Sequence, residues 1–154
     1  MPDLPLIGIY VEQGNMKGRV NDRRDAVLYT SDLAPCVAVC GQKGNKTFMI
    51  HSDSTGTHGK GATDLITGIR RVAQEIGTGA GWNISLIGGS VAGTTAYLQA
   101  HLPHAALYNG GATDGAYIAQ NGVVANTKRG LAAALGVSGV TLFRDVAGTS
   151  PLTP

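Results

Sequence analysis

Short apolar segments separated by glycine-rich turns recur along the whole chain, and they limit the folds that it can adopt. The 154 residues include 23 glycines, and hydrophobic side chains make up 43% of the composition. Apolar runs of this length, bounded by turn residues, are typical of strands. We predict strands over residues 4–14, 26–30, 36–40, 46–51, 82–89, 105–111, 115–126 and 140–146.

Helical segments interrupt this series of strands at three places. Apolar residues follow the spacing of one helical face in residues 64–77, and further helices are predicted over 94–102 and 127–136. Residues 15–25 are predicted to be a polar loop. The expected fold class is α+β, with a two-layer β-sandwich core of mixed strands flanked by about three helices. Because no linker or repeat divides the chain, we expect a single domain over residues 1–154.

Charge and cysteine content argue against several classes of protein. Charged residues make up 14% of the chain, the formal net charge is +2, and the basic residues are scattered, so no nucleic-acid partner is expected. No apolar run reaches membrane-spanning length, no signal peptide is visible, and two cysteines are too few for a disulfide scaffold. We expect a soluble protein with no membrane contact, no cofactor and no metal, acting in a reducing compartment.

Both cysteines lie in one strand–turn–strand segment, and one of them has a histidine at a useful spacing. Cys36 lies fifteen residues before His51. Cys40 shares a strand face with Cys36, but four residues of strand separate their Cα atoms by about 13 Å, too far for a disulfide. We therefore expect Cys40 to be a core residue, and Cys36, at the start of the strand, to be the more accessible thiol.

The position of the turn decides how Cys36 and His51 face each other. If Lys43-Gly44 is the turn, the two residues are directly opposite, with Cβ atoms about 4.5–5.5 Å apart. If Gly44-Asn45 is the turn, the register moves by two, so that Cys36 faces Asp53 and His51 is a diagonal neighbour on the same face. Either two-residue turn brings the thiol and the imidazole to one face of the sheet.

A cysteine with a histidine in reach is the pattern of nucleophilic catalysis. The imidazole takes the thiol proton, and the thiolate attacks the carbonyl carbon of an amide or ester. A third group should orient the imidazole, and Thr30 on the preceding strand is a candidate. The same pattern fits a buried structural thiol, because cysteine is among the most buried residue types. Metal ligation by His51, Asp53 and His58 matches no zinc spacing.

The segment YTSDLAPCVAVC, followed by FMIH, resembles the chemoreceptor glutamine deamidases of the CheD family. Those enzymes carry a Thr-Leu-Gly-Leu-Gly-Ser-Cys-Val-Ala-Val stretch and a histidine at the end of the following strand. The resemblance covers about residues 5–126, and residues 127–154 lie beyond it. Three further segments are similar to elements of that family. ATDLITGIRRVAQEIG resembles the helix after the histidine, and NISLIGGSVAGTTAYLQAHLP resembles a strand with its glycine-rich turn and helix. AALYNGGATDGAYIAQNGVVAN resembles the final strand, its Gly-Gly turn and the closing hairpin.

A similar cysteine and histidine arrangement marks the catalytic domain of the cytotoxic necrotising factor toxins and the Burkholderia lethal factor family. By this resemblance Cys36 is the nucleophile, His51 the base and Thr30 the orienting residue. The implied enzyme is a protein-glutamine glutaminase, which hydrolyses a glutamine side-chain amide of a partner protein to glutamate and ammonia through a cysteine thioester. The implied fold is a β-sandwich flanked by helices.

The chain departs from these families beside the nucleophile. Ala34-Pro35 stands where the relatives have Gly-Ser or Ser-Gly. Since proline has no N–H, we expect an oxyanion hole built from the Cys36 N–H and the backbone of Leu33 or Ser31. The Leu-Pro pair that usually follows the histidine in chemoreceptor enzymes is also missing, which favours a toxin-like effector. Such a protein would stay in the bacterial cytoplasm before delivery, or be secreted or translocated into a target cell.

Other functions stay open at this stage. One is a chemoreceptor deamidase of chemotaxis. Another is a cysteine hydrolase or transglutaminase that acts on other amides. A third is a non-catalytic protein-binding module on the same scaffold, which the missing Gly-Ser pair favours.

Overall fold

The protein is a mixed α+β structure built mostly from strands. The computed structural model describes residues 4–11, 16–20, 26–31, 33, 36–44, 46–52, 81–88, 95, 98–100, 102–111, 115–119 and 122–144. In chain order, the strands within these ranges are β1 (Leu4–Tyr10), β2 (Met16–Val20), β3 (Ala26–Thr30), β4 (Val37–Lys43), β5 (Lys46–Ser52), β6 (Asn83–Gly88), β7 (Ala106–Gly111), β8 (Ala116–Ala119), β9 (Val124–Ala125) and β10 (Val140–Arg144).

These strands form two five-stranded sheets. The first sheet has the order β10-β1-β3-β8-β9, and the second has the order β2-β5-β4-β6-β7. In the first sheet, β1 is parallel to both β10 and β3, and antiparallel pairs join β3 to β8 and β8 to β9. In the second sheet, β2, β5, β4 and β6 are joined by antiparallel pairs, and β7 is parallel to β6.

Strands occur in all eight of the segments for which the sequence predicts them, but the prediction of a polar loop over residues 15–25 is wrong in part. β2 lies within that segment and pairs antiparallel with β5, from Met16 opposite Ile50 to Val20 opposite Lys46. As an edge strand, β2 is stabilised by backbone hydrogen bonds to one neighbour, so its sequence needs no apolar run. The other residues of the predicted loop lie outside the described residues.

The helix α1 (Lys128–Leu135) confirms the helix predicted over residues 127–136. Thr127 caps its start, because the Thr127 Oγ1 accepts a hydrogen bond of 2.9 Å from the Gly130 N–H. Gly136 ends it in the left-handed conformation, with φ of 74°. Threonine and glycine are among the residues that helix starts and helix ends favour.

The other two predicted helices are seen in part or not at all. Thr95 and residues 98–100 are helical, within the segment predicted over 94–102. The helix predicted over 64–77 lies outside the described residues, so three helices are not established. Within the described ranges, no helix combines the length and the apolar character that crossing a membrane requires.

Successive side chains of a strand point to opposite faces of the sheet, so the apolar residues of the second sheet contribute to two separate clusters. In β4 and the residue before it, Cys36, Ala38 and Cys40 face one way, and Val37 and Val39 face the other. One cluster, which we call the inter-sheet core, contains side chains from both sheets: Ile9, Val11, Leu28, Leu33, Cys36, Ala38, Cys40, Met49, Ile87, Ala116 and Ile118. A second cluster, the outer core, lies on the opposite face of the second sheet: Val37, Val39, Phe48, Ile50, Trp82, Ile84, Leu86, Leu98 and Leu102.

Candidate active site

The β4–β5 hairpin has one of the two registers that the sequence allows. Lys43 pairs with Lys46, which leaves Gly44 and Asn45 as the turn, and Gly44 has φ of 59°. The alternative turn at Lys43-Gly44 is therefore wrong. His51 lies opposite Ala38, so that Cys36, two residues before Ala38 on the same face, is its diagonal neighbour.

Thr30 reaches His51 from the other sheet. The Thr30 Oγ1 lies 2.7 Å from the His51 Nδ1 and 2.6 Å from the carbonyl oxygen of Val11. A carbonyl oxygen can only accept, so the single hydroxyl proton of Thr30 is donated to Val11. The Thr30 oxygen must then accept from the imidazole, which places a proton on Nδ1 and leaves the lone pair on Nε2.

The Val11 carbonyl was not singled out by the sequence. Val11 follows β1, and its N–H donates to the Tyr29 carbonyl at 2.9 Å, which continues the parallel pairing of β1 with β3. This pairing holds the Val11 carbonyl beside the Thr30 hydroxyl. No local motif marks such a residue, because parallel pairing joins segments that are distant in sequence.

The candidate residues are more deeply buried than the sequence suggests. Cys36 is 3% exposed, and Thr30 and His51 are each 1% exposed. Cys36 is the more exposed of the two thiols, as expected, but only by 3% against 0% for Cys40, so both are buried. A position next to a loop does not guarantee exposure, since Cys36 packs in the inter-sheet core.

Cys40 is the structural thiol of the pair. Neither cysteine forms a disulfide, and the Cys40 side chain is fully buried in the inter-sheet core. Burial raises the pKa of the Cys40 thiol to about 12, because the thiolate would lose its hydration there. Cys40 therefore stays protonated at neutral pH, which agrees with its predicted place in the core.

Gly88 fixes the backbone of the candidate nucleophile. It lies opposite Val37 at the end of β6 and has φ of 137°, a conformation that residues with a side chain rarely adopt. A Cβ atom on Gly88 would collide with the carbonyl oxygen of Cys36. Only glycine allows β6 to approach Cys36 this closely, and the sequence offered no signal for this role beyond a Gly-Gly turn.

The two residues predicted to support the oxyanion hole occupy different surroundings. Leu33 is fully buried in the inter-sheet core. Ser31 is half-buried, and its Oγ lies 3.1 Å from the hydroxyl oxygen of Tyr10. Ala34-Pro35, which raised the question of the missing donor, lies outside the described residues.

No group of three His, Cys, Asp or Glu side chains that could hold a metal ion occurs in the described part of the chain. The Asp53 and His58 side chains that were considered with His51 lie outside it. The fold and the site thus define a mixed α+β protein in which a cysteine, a histidine and a threonine are buried at the contact of two sheets. Comparison of the chain with models of protein families and with curated proteins found no match.

Proposed function

We propose that the protein is a cysteine-dependent protein glutamine deamidase, with Cys36 as nucleophile, His51 as base and Thr30 as the residue that orients the imidazole. One observation carries this proposal. The hydrogen bonds of Thr30 hold His51 in the tautomer with its lone pair on Nε2. That tautomer is the one a general base needs if Nδ1 is held by a third residue.

The reaction follows from these groups. The His51 Nε2 takes the thiol proton of Cys36, and the thiolate attacks the carbonyl carbon of the glutamine amide. The imidazolium returns the proton to the amide nitrogen, ammonia leaves, and a thioester remains on Cys36. Water, deprotonated by His51, then attacks the thioester, which releases glutamate and restores the thiol.

Thr30 serves both steps without changing its own protonation. Its oxygen accepts from the Nδ1–H in the neutral imidazole and in the imidazolium, and the bond is stronger when the ring is charged. The Val11 carbonyl retains the hydroxyl proton throughout. Thr30 therefore has two effects on His51: it orients the imidazole ring, and it stabilises the imidazolium that forms during the reaction.

Burial of the site supports glutamine as the substrate. In a glutamine side chain two methylene groups separate the amide carbon from Cα, so the amide can reach a buried thiol while the peptide backbone stays outside. A shorter asparagine side chain would have to bring its backbone into the protein. The β-sandwich with helices that the family resemblance implies is supported by the inter-sheet core, to which both sheets contribute.

The biological setting that fits best is a bacterial toxin or effector, delivered from the producing cell, that acts on a protein of another cell. This part of the proposal rests on the departures from the chemoreceptor enzymes in the residues around Cys36 and His51. A chemoreceptor deamidase would share the same chemistry with a receptor as substrate.

The decisive measurement is mass spectrometry of candidate target proteins incubated with the purified chain. We expect a glutamine peptide with the mass increase of an amide converted to an acid, together with released ammonia. Cys36→Ala should abolish both signals, and the matched control Cys40→Ala should retain them. A Cys36→Ala protein that still deamidates the target would refute the mechanism.

One observation favours a non-catalytic binding module as the second candidate. A thiol that is 3% exposed packs like an ordinary core residue. Alkylation by iodoacetamide separates the two, because a catalytic thiolate reacts with a pH midpoint well below 9.0, the value for an unperturbed thiol. An inert Cys36 in the folded protein would favour the binding module.

A further inference from the structure

A cleft of about 320 Å³ opens where the edges of the two sheets meet. β7 is the last strand of the second sheet, and β9 is the last strand of the first sheet. The start of α1, at Gly130, closes one side. The cleft is lined by Ser85 and Ile87 of β6, Asn109 and Gly110 of β7, Val124 of β9, and Asn126, which follows β9.

The floor of the cleft borders the candidate nucleophile. Ile87 lies opposite Ala38 on the face that belongs to the inter-sheet core, and Cys36 is a member of the same cluster. Diagonal neighbours on one sheet face are about 7–8 Å apart, which is the relation of Ile87 to Cys36. Gly110 shapes this floor, since a Cβ atom there would lie 2.5 Å from the Ile87 side chain.

The walls of the cleft carry neutral groups that suit a peptide backbone. The Asn126 Nδ2 donates to the Gly110 carbonyl at 3.2 Å, and the Asn109 Oδ1 accepts from the Gly111 N–H at 2.9 Å. Each amide has a second polar group, a donor on Asn109 and an acceptor on Asn126. At the rim, Tyr108 is 53% exposed and offers an aromatic surface.

We propose that this cleft binds an extended segment of the substrate protein beside the target glutamine. The inference rests on the deamidase function proposed above. The segment lies along β7, where edge-strand recognition uses backbone hydrogen bonds, and its glutamine side chain passes Ile87 toward Cys36. A volume near the lower end of the range for ligand sites suits a few residues of chain rather than a folded surface.

The test uses an electrophilic glutamine mimic, 6-diazo-5-oxonorleucine, as a single amino acid and at the centre of a pool of heptapeptides with random flanking residues. The Cys36 thiol forms a thioether with the mimic and N2 is released. We expect the pool to label Cys36 at least about tenfold faster than the amino acid, because contacts remote from the reacting group lower the barrier. Peptide mass spectrometry distinguishes Cys36 from Cys40.

Two variants address the cleft itself. Asn109→Trp fills it and Tyr108→Ala removes its exposed aromatic rim, so both should lose the advantage of the pool over the amino acid. The matched control is Gln99→Trp, which places the same bulk on the exposed side of the helical segment at residues 98–100. Melting temperatures measured by circular dichroism identify any variant that is damaged in its fold.

The outcomes separate the two proposals. If wild type reacts equally fast with the pool and with the amino acid, both on Cys36, the cleft proposal is overturned and the deamidase proposal stands. If Asn109→Trp slows the pool, the amino acid and iodoacetamide to the same extent, the cleft proposal is also overturned, since the site itself is distorted. If iodoacetamide labels Cys36 and neither mimic does, the glutamine-directed function fails, and the cleft proposal with it.

Discussion

Thr30 decides which nitrogen of His51 carries the proton. Its hydroxyl has one proton, and the 2.6 Å approach to the Val11 carbonyl commits that proton to Val11. A threonine is a weaker partner than the aspartate of a serine protease triad, because it carries no charge. It can orient the imidazole and accept from it, but it attracts the imidazolium less strongly.

Removing this hydroxyl should slow the thiol chemistry while leaving the fold intact. Thr30→Val keeps the shape of the side chain, so that the imidazole loses its acceptor and can rotate or change tautomer. We expect alkylation of Cys36 by iodoacetamide at pH 7 to fall by about tenfold, which corresponds to a shift of one unit in its pH profile. Stopped-time alkylation followed by mass spectrometry measures the effect.

Thr30→Ser tests whether the hydroxyl, rather than packing, is responsible. It retains the donor and acceptor, so its pH profile should match that of wild type although the methyl group is lost. Equal rates for Thr30→Val and wild type would contradict the positioning role.

The raised pKa of Cys40 predicts that the protein loses stability in alkali. This pKa is about 12 in the folded protein against 9.0 for an unperturbed thiol. Because the folded-state value is the higher one, the unfolded chain ionises first, and stability is fully present below about pH 9 and lost as the pH rises toward 12. The loss should be about 1.4 kcal/mol per pH unit in that window.

Chemical denaturation at pH 7 and pH 10 measures this contribution as a difference. Cys40→Ala has no thiol to ionise, so the wild type should lose about 1.4 kcal/mol more than the variant between the two conditions. All other ionisable groups are common to both proteins, so their contributions cancel to first order. Identical pH dependence in the two proteins would show that Cys40 ionises in the folded state.

The β4–β5 turn explains why the sequence could narrow the hairpin to two registers. Both candidate turns include Gly44, but the alternative turn would ask Lys43 to take a positive φ in the type I′ geometry. Asparagine tolerates that conformation better than lysine does, because its short polar side chain can bond to the local backbone. This preference favours a turn at Gly44-Asn45. With that turn, His51 is the diagonal neighbour of Cys36 rather than its direct partner.

The close contact between Gly88 and Cys36 predicts that a side chain at position 88 displaces Cys36. Gly88→Ala introduces a Cβ atom that collides with the Cys36 carbonyl, in addition to the strain of a positive φ. We expect lower stability and an altered rate of Cys36 alkylation. Both are measured on the same sample, by thermal melting and by mass spectrometry.

Gly136→Ala is the matched control, because Gly136 also has a positive φ, of 74°, but nothing lies within 4 Å of the Cβ position. It should cost about 1–2 kcal/mol of stability from backbone strain alone and leave Cys36 alkylation unchanged. If both variants alter the alkylation rate equally, the close approach of Gly88 does not position Cys36.

At the scale of the whole molecule, the site is divided between the two sheets. Thr30 belongs to β3 of the first sheet, His51 belongs to β5 of the second, and Cys36 directly precedes β4 of the second. Packing in the inter-sheet core therefore holds the three candidate residues together. Packing in the outer core stabilises the second sheet without spanning the site.

Two leucine substitutions test this division. Leu28→Ala loosens the inter-sheet core two residues before Thr30, and Leu98→Ala loosens the outer core. Each should cost about 2–5 kcal/mol in denaturation experiments. Only Leu28→Ala should slow the alkylation of Cys36 in conditions where both variants are folded, and a similar slowing by Leu98→Ala would contradict the division.

The sequence predicts the α+β class, most strands and α1 because alternation, apolar runs and turn residues are local signals. Thr30, Cys36 and His51 could be proposed because they lie within a short segment with a hairpin turn. The pairing of β1 with β10 and β3, and hence the role of Val11, could not, since nothing local records which distant strands become neighbours. The polar edge strand β2 was missed for a related reason. It is a strand because it pairs with β5, and its own composition carries no strand signal.

The hydrogen bond between Thr30 and His51 joins two sheets, so the site can form only after both sheets have folded and packed together. An unfolded or half-assembled chain has a cysteine and a histidine but no geometry that activates them, so its thiol has only ordinary reactivity. Reactivity should return in refolding experiments only with the last structural phase. For the deamidase proposed above, this means that activity appears only once the two sheets have docked.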